Sequence, residues 1–347
     1  MSFAKTLNLS TGASLRQIGL GTWLSKPKEV ENAVEIAVRN GYRHLDLAAI
    51  YENQDEVGAA LKKVIPSVVK REELFLTSKL WNSSHQPQNV EKELDTTLAQ
   101  LGVDYLDLYL IHWPVSFAPG KGYYPPDPKK EGFVELDTVT SLVDTWKAMI
   151  ALPKSKVRAI GVSNFSIEHI EAIIKATGVV PAVNQIEAHP LLPQDDLVAY
   201  AKEKGIHITA YSPLGNNCTL ESIVIRLSLK ELTRYTPLTV KDRPKLTDNA
   251  KVIEVAKKLN ATPAQVLVAW GAYRGYSVIP KSVQEERIKS NFQQVELSKE
   301  DYEAITAIGK DNHTRFNIPY GYTPQWDVNI FNEPEEQTAS TKPVLGI

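Results

Sequence analysis

The chain has 347 residues, with 39 Lys and Arg against 41 Asp and Glu and a formal net charge of −2, so charge favours neither nucleic acid nor an anionic membrane as partner. The single cysteine, Cys218, excludes an intramolecular disulfide and any cysteine-cluster metal site. With no apolar run near the ~18 residues of a membrane span and no basic-then-apolar start, the expectation is a soluble, cytoplasmic protein with one large core.

In chain order, segments 5–8 and 14–17 flank Ser10-Thr11-Gly12 and predict a small N-terminal hairpin. Strands are then predicted at 17–21, 44–48, 74–80, 106–112, 158–163, 182–187, 207–211 and 277–281. Most are near-continuous apolar runs, which suits parallel strands buried on both faces. Helical patterns fall between and after them, at 27–40, 55–63, 89–101, 139–150, 167–177, 194–204, 249–259 and 284–292. In the first of these, Val30, Ala33, Val34, Ala37 and Val38 share a face, and Gly41 follows as a stop. Eight strands alternating with eight helices predict a closed (β/α)₈ TIM barrel, with the hairpin as a cap. An open doubly wound sheet is the competitor.

Two stretches depart from that pattern. The seventh and eighth strand centres lie about 70 residues apart, against about 24 for the sixth and seventh, beyond an ordinary βα unit. The excess is placed at 216–245, where Ser222 to Glu231 suggests an extra helix. Past Asp311 the chain becomes an irregular, aromatic C-terminal loop, and 333–347, rich in Glu, Thr, Ser and Pro, is expected to be disordered. The domain reading is thus one barrel over 1–332 followed by a tail.

Barrel enzymes work at the carboxyl ends of their strands, so polar residues there are candidates. Asp46 lies near the end of the second predicted barrel strand, with Tyr51 in the loop beyond it. Lys79 ends the third and His112 the fourth. Each alone reads more readily as a satisfied core group, but four such groups on three successive strand ends converge on one barrel mouth.

Taken together, Gly19-Leu20-Gly21-Thr22-Trp23, the Asp46 to Tyr51 spacing, Lys79, His112-Trp113-Pro114, Gly161-Val162-Ser163-Asn164-Phe165 and Ile279-Pro280-Lys281-Ser282 resemble the aldo-keto reductase family. The resemblance runs from about residue 5 to about 330 and most resembles fungal glycerol dehydrogenase, aldehyde reductase and sugar reductase members. It implies that Tyr51, Asp46, Lys79 and His112 form a catalytic tetrad. Carbonyl reduction needs a hydride on carbon, a proton on oxygen and support for the developing oxyanion. On this reading Tyr51 supplies the proton, and Lys79 favours the phenolate and so eases its release. Asp46 holds Lys79 charged, and His112 orients the carbonyl. No metal is required.

A Gly-x-Gly-x-x-Gly opening a helix is missing, so a Rossmann site is not expected, and Gly19-x-Gly21 reads as a turn. The resemblance implies instead a dinucleotide lying across the barrel mouth. Thr22 belongs to that cofactor set; Ser163, Asn164 and Gln185 would bind the carboxamide, with Tyr211 stacked on the nicotinamide. Ser212 and Leu214 would follow the pyrophosphate. Lys281, Ser282, Val283, Arg287 and Asn291 match the family's adenosine-phosphate clamp, which favours NADPH over NADH. Ser290 stands where many members carry an acidic residue.

Trp23, Trp81 and Trp113, with Phe117, are expected to form an aromatic substrate pocket. The loop 118–136 would make one wall and segment 315–326 another. The functional expectation is a monomeric, NADPH-dependent reductase of a small aldehyde or ketone: an aldose, a glyceraldehyde-like compound, a uronic acid or an aromatic aldehyde. Two alternatives stay open. One is a cofactor-binding regulatory subunit of the same fold, and the other a reductase-like protein inactivated by the 216–245 insertion.

Overall fold

The computed structural model describes residues 5–26, 28–215 and 245–347. After a hairpin of β1 (Thr6–Asn8) and β2 (Ser14–Arg16), eight strands follow: β3 (Leu20–Gly21), β4 (His44–Asp46), β5 (Phe75–Leu80), β6 (Leu106–Ile111), β7 (Val157–Ser163), β8 (Val183–Glu187), β9 (His207–Tyr211) and β10 (Ser277–Val278). They pair in chain order and all in parallel. Backbone bonds from Val278 N to Gln17 O (2.8 Å), Gly19 N to Val278 O (2.9 Å) and Gly21 N to Pro280 O (3.1 Å) join the last strand to the first. The (β/α)₈ barrel is therefore closed, as the alternation of elements predicts.

At that seam glycine is required by packing. A Cβ on Gly21 would stand 2.9 Å from the Ile279 carbonyl oxygen, so Gly19-x-Gly21 marks a close strand approach where a turn was expected. Every residue of β5 is buried, which is why its sequence shows no polar alternation. Leu9 and Leu15 of the hairpin pack on Phe75, Leu108, Ala159 and Ala182. The amino end of the barrel is thereby covered, leaving the carboxyl end for chemistry.

Among the described residues the helices are α1 (Glu29–Arg39), α2 (Gln54–Val64), α3 (Pro87–Leu101), α4 (Leu142–Ala151), α5 (Ile167–Thr177), α6 (Asp195–Lys204), α7 (Ala250–Lys258), α8 (Pro263–Tyr273), α9 (Glu285–Phe292) and α10 (Lys299–Thr306). The apolar face predicted for α1 is the face it buries. Two helices were not anticipated. In α8, Gln265 to Gly271 are all buried, so its apolar residues surround the axis and give no helical period. Its signals are terminal: Pro263 at the first turn and a capping box in which Thr262 accepts from Gln265 N. With α7, which the 249–259 pattern predicts, it fills the part of the long seventh-to-eighth interval that lies beyond the departure expected at 216–245. The second unanticipated helix, α10, starts at an N-cap, Ser298, that accepts from Asp301 N. The departure expected at 216–245, with its extra helix, lies outside the described residues up to 244.

The tail expected to be disordered is instead packed on the barrel. Glu336 is fully buried, and its carboxylate accepts from Ile330 N, Phe331 N and Glu333 N at 2.9–3.1 Å. Farther on, Val344 O and Leu345 O accept from Leu142 N and Val143 N. The tail thus satisfies amides at the start of α4 that a helix cannot satisfy itself. Composition suggested a solvated segment because it does not register such backbone partners.

Candidate active site

Three successive strand ends bring the chemistry together at the carboxyl face. Asp46 closes β4, Tyr51 sits in the 3₁₀ turn Ala49–Tyr51 beyond it, Lys79 lies in β5 and His112 follows β6. Lys79 Nζ donates to Asp46 Oδ1 at 2.6 Å, to Leu47 O at 2.7 Å and to Tyr51 Oη at 3.4 Å. All three ammonium hydrogens are accounted for, and the lysine is completely enclosed. Because Lys79 donates to Tyr51 Oη, the phenolic hydrogen is directed to a different acceptor. The rings of Tyr51 and His112 meet edge to face with centroids 5.9 Å apart. The structure thus assembles the four residues the sequence singled out.

The electrostatics amend one expectation. Desolvation, and after it the Asp46 carboxylate, push the Tyr51 hydroxyl well above the ordinary tyrosine range. Lys79 was expected to act the other way, but its charge is spent on Asp46 at contact distance, leaving little net positive field on the phenol. Lys79 itself is lowered by desolvation and held up by Asp46. Tyr51 therefore rests as the protonated phenol, the form that has a proton to give. His112 is held well below the ordinary histidine value by desolvation, then by Lys79 and His85, and is neutral. A neutral imidazole carries one N–H, sufficient to donate to a carbonyl oxygen without adding charge.

The residues expected at the nicotinamide end form one network with the tetrad. Gln185 Nε2 donates to Asp46 Oδ2 at 2.7 Å. Ser163 Oγ donates to Gln185 O at 2.8 Å, and Asn164 Nδ2 to His112 O at 2.9 Å. Tyr211 Oη donates to Asn164 Oδ1 at 2.7 Å, and Thr22 Oγ1 to Asp46 O at 2.8 Å. Asn164 and Ser212 adopt left-handed backbone, φ 63° and 48°, at the ends of β7 and β9. Such strain in residues other than glycine persists where the surroundings enforce it, commonly around ligands. Neutral amides, hydroxyls and an aromatic ring are a donor set that fits a nicotinamide.

Farther along the rim, Leu214 is partly buried against the core. Lys281 is exposed and its Nζ donates to Leu24 O at 2.5 Å. Ser282 is buried, and its Oγ accepts from Gln284 N at the entry to α9. Val283 packs against the core, Arg287 is exposed in the first turn of α9, and Asn291 is buried in the last. Two exposed cations flanking a hydroxyl at a helix start match the chemistry of a phosphate monoester.

The tryptophans divide. Trp81 and Trp113 are buried in one aromatic cluster with Phe117 and Trp326. Trp81 stands edge-on to His112 at 5.3 Å and to Trp326 at 5.8 Å, while Phe117 lies under Trp326 at 4.8 Å with no exposed surface. Phe117 therefore backs the wall. Trp23 stands at the rim, 46% exposed, outside that cluster. Segments 118–136 and 315–326 both pack against that cluster. Trp81 Nε1 donates to Tyr123 O in the 118–136 loop at 2.7 Å, and Phe133 bridges to Gln325.

Sequence reasoning missed Glu187, the last residue of β8. Its carboxylate accepts from Phe316 N, Asn317 N and Asn317 Nδ2 at 2.8–2.9 Å and meets His189 Nε2 at 2.8 Å. Burial raises its pKa, but these donors and Arg315 bring it to about 2. It anchors the C-terminal wall to the barrel. A carboxylate closing a predicted barrel strand was the available signal. Among the described residues no cluster of three or more His, Cys, Asp or Glu could hold a metal, and no helix is long and apolar enough to cross a membrane.

Residues 17–310 match the Aldo/keto reductase family. D/L-glyceraldehyde reductase of Hypocrea jecorina is 50% identical over 351 residues, covering 99% of this chain and 99% of that protein. Glycerol 2-dehydrogenase (NADP(+)) of Saccharomyces cerevisiae is 42% identical over 328 residues, covering 92% of this chain and 96% of its own. Among solved structures, aldose reductase from Schistosoma japonicum superposes with a TM-score of 0.78 at 38% identity, covering 91% of this chain and 94% of that one.

Proposed function

This chain belongs to the aldo/keto reductase family and is an oxidoreductase acting on carbonyl or alcohol groups, and we propose that it reduces a small aldehyde of the glyceraldehyde type with NADPH. The observation that carries the reading is the hydrogen-bonded set Tyr51, Lys79, Asp46 and His112, closed by Gln185. The similarity to a glyceraldehyde reductase supports the substrate class, and the NADP(+)-linked relative supports the cofactor.

Ser163, Asn164 and Gln185 would hold the carboxamide of the nicotinamide, with Tyr211 against its ring. Lys281, Ser282 and Arg287 would take the phosphate that distinguishes NADPH. The bound nicotinamide supplies the hydride. Everything else falls to the chain. His112 donates a hydrogen bond to the carbonyl oxygen and fixes its direction. Tyr51 then delivers its phenolic proton as negative charge develops on that oxygen. The resulting phenolate is stabilised by the Lys79 ammonium, whose distance of 3.4 Å can shorten once the oxygen is charged. Asp46 keeps Lys79 charged, and the aromatic cluster around Trp81 excludes water.

NADPH consumption over glyceraldehyde, aldoses, uronic acids, aromatic aldehydes and small ketones tests the proposal. Fastest turnover on glyceraldehyde supports it. Turnover on none of them, with NADPH still bound, would favour a regulatory role.

A further inference from the structure

The aromatic wall is hung from a residue that neither the sequence reading nor the mechanism uses. Glu93 lies in α3, on the outer layer of the barrel, yet its Oε1 accepts from the backbone N–H of Trp81 at 2.6 Å, and the Ser84 hydroxyl also reaches its carboxyl. Trp81 follows β5, where the strand ladder has ended and its amide has no neighbouring strand to bond. The carboxylate takes that place with a charge-assisted bond. The ring so held is the hub of the site. It meets His112 at 5.3 Å, Phe117 at 5.9 Å, Tyr124 at 5.6 Å and Trp326 at 5.8 Å, and its Nε1 bonds Tyr123 O.

We propose that Glu93 is a positioning residue for substrate binding: its carboxylate sets the backbone of Trp81, and through Trp81 the wall that faces His112. The proposal rests on the carbonyl-reducing reading of that site. Among the described residues no cation offsets the charge of Glu93. The groups acting on it are the Ser84 hydroxyl and the Trp81 N–H. Tyr109 from β6 and Tyr123 from the rim loop feel its charge, and Glu52 and Asp55 also act on Tyr123. Desolvation accordingly raises the Glu93 carboxyl to about 7. Its hold on Trp81 is therefore strong above neutrality and weakens as the carboxyl takes a proton. A change in the wall alters substrate affinity, whereas Lys79, earlier on β5, stays held by Asp46 and Leu47 O, and Tyr51 and the cofactor residues lie on other elements and keep their contacts.

The test compares wild type, Glu93→Gln and Glu93→Ala by KM and kcat for glyceraldehyde, and by NADPH affinity, from about pH 5.5 to 8.5. Wild-type KM should rise as pH falls through about 7, and KM of Glu93→Gln should be flat over that range. Glu93→Ala should raise KM by about tenfold at pH 8, the scale for losing one charge-assisted bond, with kcat changed less than about threefold and NADPH affinity kept. Near-ultraviolet circular dichroism of the tryptophan cluster provides a readout independent of turnover. It should titrate near neutrality in wild type and not in Glu93→Gln. Unaltered KM in both variants, or a dichroism signal that titrates identically in wild type and Glu93→Gln, would overturn the proposal. Absence of turnover in wild type would instead overturn the reading of the site, leaving the dichroism result to decide the role of Glu93.

Discussion

The two oxygens of the Asp46 carboxylate are divided between Lys79, at 2.6 Å, and Gln185, at 2.7 Å. One buried acid thus joins the residue beside Tyr51, the proposed proton donor, to a residue expected at the cofactor, across the interior of the barrel. A displacement at the nicotinamide end must therefore be felt at Lys79, because Asp46 cannot move toward one partner without leaving the other.

Removing one member of this buried pair leaves the other charge without its compensation. Lys79→Met should lower the unfolding free energy by about 3–5 kcal/mol, measured by urea denaturation. Adding Asp46→Asn to it should restore part of the loss, since the second change removes the stranded charge. A single-variant cost below about 1 kcal/mol would mean the pair behaves as a solvated surface contact.

Buried histidines make stability depend on acid. Desolvation holds the His169 imidazole at about 4 and His85 at about 3, the latter opposed by Asp137, against an ordinary 6.5. Both groups bind a proton more readily unfolded than folded. Their contribution is thus whole above about 6.5 and is lost as pH falls toward 4 and 3. Thermal unfolding should show a melting temperature that drops steadily below pH 6.5. His169 Nδ1 accepts from Ser166 N in a capping box, so His169→Gln keeps an acceptor there while removing the titration. That variant should match wild type at neutral pH and lose less stability in acid; an unchanged acid slope would place the lability elsewhere.

Much of this molecule is legible in its sequence, for a physical reason. A strand buried on both faces writes itself as an apolar run, and a chemical group at its end stands out against that run, as His112 does after Tyr109, Leu110 and Ile111. What escaped was of another kind. In α8 the apolar residues surround the axis, so there was no period to read. Glu93 lay on a helix whose other acidic residues are solvated, and its partner is a backbone amide, which has no side-chain signature. The ordered tail depends likewise on backbone carbonyls at Val344 and Leu345. Interactions between a side chain and a distant main chain leave the least trace in sequence.

Cofactor choice is tested at Arg287, exposed in the first turn of α9. Arg287→Ala should weaken NADPH by about ten- to a hundredfold, the scale for losing a charge-assisted contact of ~1.5–3 kcal/mol, and leave NADH nearly unchanged. Fluorescence titration with each cofactor measures this. Equal losses would make the arginine a support for the helix.

The central claim is that Tyr51 gives its proton to the carbonyl oxygen, and the most direct measurement is single-turnover oxidation of bound NADPH by glyceraldehyde in wild type and Tyr51→Phe. The phenylalanine keeps the ring that meets His112 edge to face and removes only the hydroxyl. The rate should fall by at least about a hundredfold, the low end for a positioned acid, with NADPH affinity and folding stability retained. A rate within a few fold of wild type would contradict the account and require another donor.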